Sequence, residues 1–351
     1  MIRQQNGLAL EPSDNPSPAV SALLPEWPAS WYVFCSSREL GSKPLARKML
    51  GRELVAFRTP GGRVGVLLGQ CVHMGARLAQ GQVVGECLRC PFHHWEFDSD
   101  GRCRRIPATD AIPSFARQPA FPAVERHGAV FFFNGAQPAF NLPFFEGCDE
   151  RDLETAAPFT LSLDCPWFMI GSNGVDMQHF RTTHDRELIG LPIITHPHRW
   201  VHHSSTRFRV AGSGWRDALT RRLAGDTVEM DVTDWAGTLF FVRAKFRRTE
   251  TFGMVSMQPV DAGHTRLYVH VSTWRSPSLV RRFLWDALST RVRRFFVRKF
   301  LEPDIARSAG TRFNPHRLID ADQCLADYFA WLEKLHGSAV LRMVQGHEPP
   351  Y

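Results

Sequence analysis

No apolar run in this 351-residue chain is long enough to cross a bilayer; the most apolar stretch, Val130-Phe131-Phe132-Phe133, falls far short of the ~20 residues a spanning helix needs. No signal peptide is evident at the N-terminus, and there are no internal repeats. The eight cysteines are irregularly spaced, which does not suit a disulfide framework and points to a reducing compartment. A soluble, cytoplasmic protein is expected. The sequence also lacks the glycine-rich fingerprint of a flavin or nicotinamide site, so any electrons it uses must come from another protein. The formal charge of +7 gives no strong case for nucleic acid.

What is present is an alternation of thiol and imidazole. Cys71-Val72-His73 and Cys90-Pro91-Phe92-His93 lie 19 positions apart, cysteine to cysteine. Two cysteines and two histidines could hold a tetrahedral zinc ion, and Cys87 with Cys90 forms C-x-x-C, so that alternative stands at this point. Against it, a C-x-H pair is too short for the usual finger spacing and suits two loop tips closing over a binuclear cluster. Around the second motif the residues read as strand, ligand loop, strand, which makes Cys87 a strand residue facing a core.

The patterns C-x-H-x-G-A-x-L and C-P-F-H-x-W-x-F-D, as they stand here, resemble the Rieske domain of the ring-hydroxylating and related non-heme iron oxygenases. That resemblance implies a [2Fe-2S] cluster with Cys71 and Cys90 on one iron and His73 and His93 on the other. Ala76 and Phe92 stand where respiratory Rieske proteins carry an extra disulfide. His94 occupies a place where the family usually has glycine, and His93 alone keeps the family spacing of the ligand.

An electron carrier of this type could end near residue 140, but more than two hundred residues follow, enough for a second core. They contain Asn173-Gly174-Val175-Asp176-Met177-Gln178-His179, followed by His184. Two imidazoles and one carboxylate form the facial triad that binds Fe(II) and leaves sites open. His179 and His184 are five apart, too far round an unbroken helix to be neighbours, so a loosening after Phe180 is expected to aim both at one point. Asp176 stands one turn before His179 and could orient an imidazole. The family resemblance implies more for it, a bridge between the iron site and the Rieske histidine of a neighbouring subunit. Asn173 is assigned a supporting role beside it.

The same resemblance places the third iron ligand on a late helix. Glu302, Asp304, Asp320 and Asp322 are candidates; Asp304 is chosen and Glu302 held in reserve, with the helix beginning near Pro303. Other histidines, His196 and His198 in T-H-P-H and the pair His202-His203, read as turn or surface residues.

The organisation expected is α+β. Residues 1–27 form a mobile arm, 28–140 an all-β Rieske domain, 141–158 a linker and 159–345 a helix-grip (START-like) catalytic domain with an antiparallel sheet. Turns are expected at Thr59-Pro60-Gly61-Gly62 and Asp98-Ser99-Asp100-Gly101, and a hairpin at Asp261-Ala262-Gly263-His264. The basic segment 281–299 reads as an amphipathic helix with Phe283, Leu284, Leu288, Val292, Phe295, Phe296 and Phe300 packed on the sheet. Its arginines would then be free to dock an acidic ferredoxin or reductase.

By resemblance the function is that of the terminal component of a Rieske oxygenase. It would use O2 and external electrons to oxygenate a hydrophobic, aromatic or polycyclic molecule in a pocket beside the iron, and would assemble as a homotrimer. The motif P-F-H-H-W is most similar to the aminopyrrolnitrin oxygenase group, which suggests arylamine oxidation to a nitro group as an alternative. A redox carrier or sensor without oxygenase activity is the alternative from another class.

Overall fold

The computed structural model describes residues 27–311, 314 and 317–336. The expected N-terminal arm therefore lies outside the described residues except for Trp27, as do residues 337–345.

Eleven short strands make up the N-terminal part: β1 (Trp31–Ser36), β2 (Leu45–Met49), β3 (Arg52–Arg58), β4 (Val64–Leu68), β5 (Gln82–Val84), β6 (Cys87–Arg89), β7 (Glu96–Phe97), β8 (Cys103–Arg105), β9 (Ala120–Phe121), β10 (Ala123–Arg126) and β11 (Ala129–Phe133). They form three small sheets, ordered β1-β11-β10, β2-β3-β4-β9 and β5-β6-β7-β8. Thr59 to Gly62 turns β3 into β4, and Asp98 to Gly101 turns β7 into β8, as their Pro-Gly and Asp-Gly content dictates. Cys87 is buried at the head of β6. The run Val130 to Phe133 is the fully buried strand β11.

The second part is a nine-stranded antiparallel sheet. Its strands are β12 (Leu153–Thr155), β13 (Phe159–Leu163), β14 (Arg186–Leu188), β15 (Ile193–Thr195), β16 (Val201–Val210), β17 (Thr227–Trp235), β18 (Leu239–Phe246), β19 (Glu250–Asp261) and β20 (His264–Trp274). β12 lies inside the stretch expected as a linker and pairs with β20, Leu153 opposite Trp274. The β19–β20 hairpin closes on Asp261 and His264 as expected, with a register shift after Pro259.

The helices are α1 (Trp167–Ser172), α2 (Met177–His184), α3 (Trp215–Leu223), the short α4 (Leu279–Arg281), α5 (Ala287–Ser308) and α6 (Gln323–His336). α4 runs through a π-helical stretch, Arg282–Asp286, into α5. One face of the sheet is covered by α5: Val297, Leu301 and Ile305, each four residues apart, pack on Phe159, Val232, Phe240, Val269 and Val271. The opposite face meets the N-terminal sheets, where Leu239, Phe241, Phe252, Met254 and Tyr268 pack with Trp31, Val33, Phe131 and Phe133.

Three expectations fail here. α5 does not begin at Pro303; the proline sits inside it. Pro303 can neither donate to the Lys299 carbonyl nor let it approach, and that carbonyl instead accepts from Arg216 Nη1 at 3.4 Å. The apolar residues of the basic segment do not all face the sheet, since Leu288, Val292 and Phe295 are 51, 47 and 44 % exposed. The packing face of the first turns is taken by Asp286, whose carboxylate accepts from Ser276 N, and by Thr290 and Arg293, the last held on Thr251 and the Glu250 carbonyl. Finally, His202-His203 is neither turn nor surface: both lie in β16, and His202 is buried against Tyr328 and Trp331. His196 and His198 are exposed, as expected.

Candidate metal centres

The two N-terminal ligand loops are built alike. In the first, Cys71 N–H donates to the Ala76 carbonyl; in the second, Cys90 N–H donates to Trp95 O, both at 2.8 Å and both spanning five residues. Four residues beyond each cysteine the chain turns left-handed, at Gly75 (φ 73°) and at His94 (φ 57°). Glycine adopts that conformation freely, while histidine tolerates it better than most side chains. This accounts for both the glycine usual at the second site and its replacement here. Cys71 and Cys90 are buried and His73 and His93 exposed, so the thiols lie beneath and the imidazoles face outward. The imidazole centroids of His73 and His93 are 4.6 Å apart. His73 stacks on Trp95 at 4.4 Å with 8° between planes, so a residue of the second loop orients the ligand of the first.

Burial, with the neighbouring Cys90 thiol, pushes the Cys71 thiol up to about 12 even though nearby backbone N–H groups favour its thiolate. Such a pair ionises readily only against a cation, which fits thiolates that hold iron. Cys87 is not drawn into this group.

The second cluster lies between two helices. Asp176 caps α2, its Oδ1 accepting from the His179 N–H at 2.9 Å. α2 is anchored by Phe180, which packs on Phe208 of β16 (4.6 Å). The expected loosening after Phe180 does not occur: α2 is continuous to His184, where Asp185 turns left-handed (φ 51°) and ends it. His184, at the terminal residue, and His179 in the first turn instead both reach sideways to Asp304, which approaches on α5.

His179 Nε2 lies 2.7 Å and His184 Nε2 3.2 Å from Asp304 Oδ1, and the two nitrogens are 3.1 Å apart. Among the described residues these three form the only group of histidine, cysteine and acidic side chains whose ligand atoms lie close enough to share a metal ion, all within 4.8 Å. Asp304 Oδ1 is buried yet takes no hydrogen bond of acceptable geometry. A buried carboxylate oxygen facing two imidazole nitrogens without a bonded proton is what a metal-ligand set looks like when drawn from its donors alone. Burial would raise the Asp304 carboxyl, but the two imidazoles hold it below the ordinary range.

Glu302 is turned away, bound to Lys299 at 2.6 Å and near Arg298 at 3.5 Å. Asp322 accepts from Gln178 Nε2 at 2.7 Å, and Asp320 sits beside it in a 3-10 turn. Asn173 caps the C-terminal end of α1, half-buried, three residues before Asp176. Met230, Val232, Leu301 and Ile305 supply apolar surface between α5 and the sheet. A cavity of ≈ 670 Å³ opens away from the triad. It lies on the other face of the sheet, lined by His127, Phe144, Tyr268, His270 and Arg275.

Two residues that hold these candidate sites were not evident in the sequence. Phe300 stacks on His184 at 3.9 Å, and buried Gln118 ties down the first ligand loop. Phe300 lies four residues before Asp304, a spacing that could have marked it once α5 was known to start upstream.

The architecture is thus a small β domain with paired Cys/His loops beside a helix-covered sheet with a His/His/Asp cluster. Residues 30–116 match the Rieske [2Fe-2S] domain family. The chain is 40 % identical over 129 residues to the aminopyrrolnitrin oxygenase of Pseudomonas fluorescens, covering 34 % of this chain and 36 % of that one. It is 32 % identical over 212 residues to the oxygenase subunit of tert-butanol monooxygenase / tert-amyl alcohol desaturase of Aquincola tertiaricarbonis, covering 59 % and 41 %. These matches span well under half the length of either relative. The crystal structure of dicamba monooxygenase bound to dicamba superposes with a TM-score of 0.61 over 90 % of this chain and 98 % of that one, at 21 % identity. Residues 30–116 are therefore a Rieske [2Fe-2S] domain, and the chain shares the fold of dicamba monooxygenase.

Proposed function

We propose that this protein is the terminal component of a Rieske oxygenase, which uses O2 and externally supplied electrons to oxidise a hydrophobic, aromatic or polycyclic small molecule. The observation that carries the reading is the convergence of His179, His184 and Asp304 within 4.8 Å in a chain that also holds a Rieske domain. In this reading Cys71, His73, Cys90 and His93 hold the [2Fe-2S] cluster, and His179, His184 and Asp304 hold Fe(II). When bound, the cluster supplies single electrons and the ferrous ion supplies open coordination sites at which oxygen is activated.

The chain's own residues then have distinct tasks. Trp95 and Phe300 fix one imidazole of each centre by stacking. Asp176 fixes the start of α2 through one carboxylate oxygen. The same carboxylate is assigned the link with a neighbouring subunit's cluster. Asn173, at the joint of α1 and α2, supports that segment. The packed side chains of Met230, Val232, Leu301 and Ile305 help keep water from the buried carboxylate.

A ferredoxin or flavin-dependent reductase as donor and a closed homotrimer complete the proposal. Arylamine oxidation to the nitro level is the second reading, resting on the likeness to aminopyrrolnitrin oxygenase.

The test is anaerobic quantification of iron, acid-labile sulfide and zinc, followed by single turnover of the reduced protein with isotopically labelled oxygen gas and a panel of aromatic substrates that includes arylamines. About three irons to two sulfides per chain, with label in a product, is the expected result. About two irons to two sulfides, unchanged by added ferrous ion, would leave a redox carrier or sensor; zinc without sulfide would overturn the cluster assignment.

A further inference from the structure

Gln118 lies two residues beyond the segment matched by the Rieske family and is 1 % exposed. Its side-chain amide makes three hydrogen bonds, each 2.8 Å: Nε2 donates to the carbonyls of Leu68 and Gln70, and Oε1 accepts from the Val72 N–H. These partners sit at alternate residues, so the amide takes the place that a neighbouring strand would occupy along residues 68–72, just before His73.

The backbone of Gln118 is itself fixed to the other half of the domain. Its N–H donates to Gly101 O at 2.8 Å, in the turn between β7 and β8, and the adjoining Pro119 carbonyl accepts from Leu68 N at 2.9 Å. The contact at Gly101 is close enough that a Cβ there would lie 1.9 Å from Gln118 O. β7 leads directly out of the second ligand loop. One side chain therefore joins the strand entering the first loop to the hairpin leaving the second.

The amide also decides which way one of the first loop's N–H groups points. Val72 N–H, on the residue next to Cys71, is drawn back to Gln118. Solvent exposure and hydrogen bonding around the sulfurs set a cluster's reduction potential, so the position in which this loop is held bears on it.

We infer that Gln118 is a positioning residue for the [2Fe-2S] cluster, holding the Cys71–His73 loop in register with the Cys90–His93 loop and so setting the cluster's potential. The inference rests on the Rieske assignment. Only an amide meets the requirement, since two carbonyls need donors and one N–H needs an acceptor. Glutamate of the same length would set a carboxylate against two carbonyls, and methionine would fill the volume without any bond.

The test uses the full chain with its cluster. Gln118→Glu and Gln118→Met are compared with wild type by iron and sulfide content, by the g-values of the reduced cluster, and by redox titration. The expected result is an assembled cluster with shifted g-values and a reduction equilibrium displaced about tenfold, about 59 mV for one electron. Wild-type g-values and potential in both variants would overturn the inference. Hydrogen exchange of the wild-type protein gives a reading that does not depend on the variants folding. The Val72 amide, on a residue 39 % exposed, should be strongly protected, and exchange at the rate of a free loop amide would also overturn the role. Absence of labile sulfide or of a Rieske signal in the wild type would instead count against the Rieske assignment itself.

Discussion

His184 lies flat against Phe300, ring centroids 3.9 Å apart and planes 12° from parallel, and Phe300 precedes Asp304 by one turn of α5. A single aromatic ring therefore sets both the plane of one proposed ligand and the spacing between the two helices that supply the set. Replacing it with alanine leaves the imidazole free to rotate. Phe300→Ala is expected to weaken ferrous binding roughly tenfold to a hundredfold, the usual cost of losing a group that orients a metal ligand, with the cluster unaffected. Phe300→Leu, which keeps the bulk, should lose less. Ferrous titration of iron-depleted protein checks this, and equal affinity in all three would refute it.

Asp304 and Glu302 make opposite predictions. Asp304→Ala should remove the mononuclear iron and leave two irons and two sulfides per chain, because it deletes the carboxylate between the two imidazoles. Glu302→Gln should leave metal content unchanged and cost little stability, since its pairs with Lys299 and Arg298 are on the surface. Metal analysis of the two purified variants decides.

Asp176 combines a cap with the proposed link between centres. Asparagine also caps helices well, so Asp176→Asn should keep α2 and both metals while abolishing turnover coupled to cluster oxidation. Asp176→Ala loses the bond to the His179 N–H as well and should cost about 1 kcal/mol of stability. Full coupled activity in Asp176→Asn would remove the bridging role.

Acid sensitivity follows from three buried imidazoles. Burial lowers His202, His270 and His336 from the ordinary 6.5 to about 4, His202 being lowered further by His196 and His203. These histidines stay neutral in the fold but take up protons in the unfolded chain between about pH 6.5 and 4. Stability from this source is complete above 6.5 and falls as the pH drops through that window. The thermal midpoint should decline from pH 6.5 to 4, and His270→Gln should flatten the decline. An unchanged pH dependence in that variant would show that His270 does not contribute.

The readable parts of the structure were those in which function is carried by neighbours in sequence. The two Cys/His loops, the turns at Pro60-Gly61 and Asp100-Gly101, and the Asp176/His179/His184 motif all depend on a few adjacent torsions. The misread parts depended on packing. His202 looked like one of several scattered histidines until β16 placed it against Tyr328 and Trp331. Leu288, Val292 and Phe295 recur at helical spacing, but spacing alone does not say which side of a helix meets the sheet. Gln118 carries no local signal, because its three partners are 46 to 50 residues away.

The two loops proposed to hold the cluster were legible in the sequence, because each closes on itself over five residues, while the register of the first against the second depends on the distant Gln118. Which carboxylate joins His179 and His184 was decided only in the tertiary structure. Glu302 and Asp304 are two residues apart, about 200° round the helix, so one rotation of α5 can present only one of them. Val297, Leu301 and Ile305 set that rotation by packing into the sheet, and the same burial brings Asp304, one turn beyond Phe300, onto the two imidazoles.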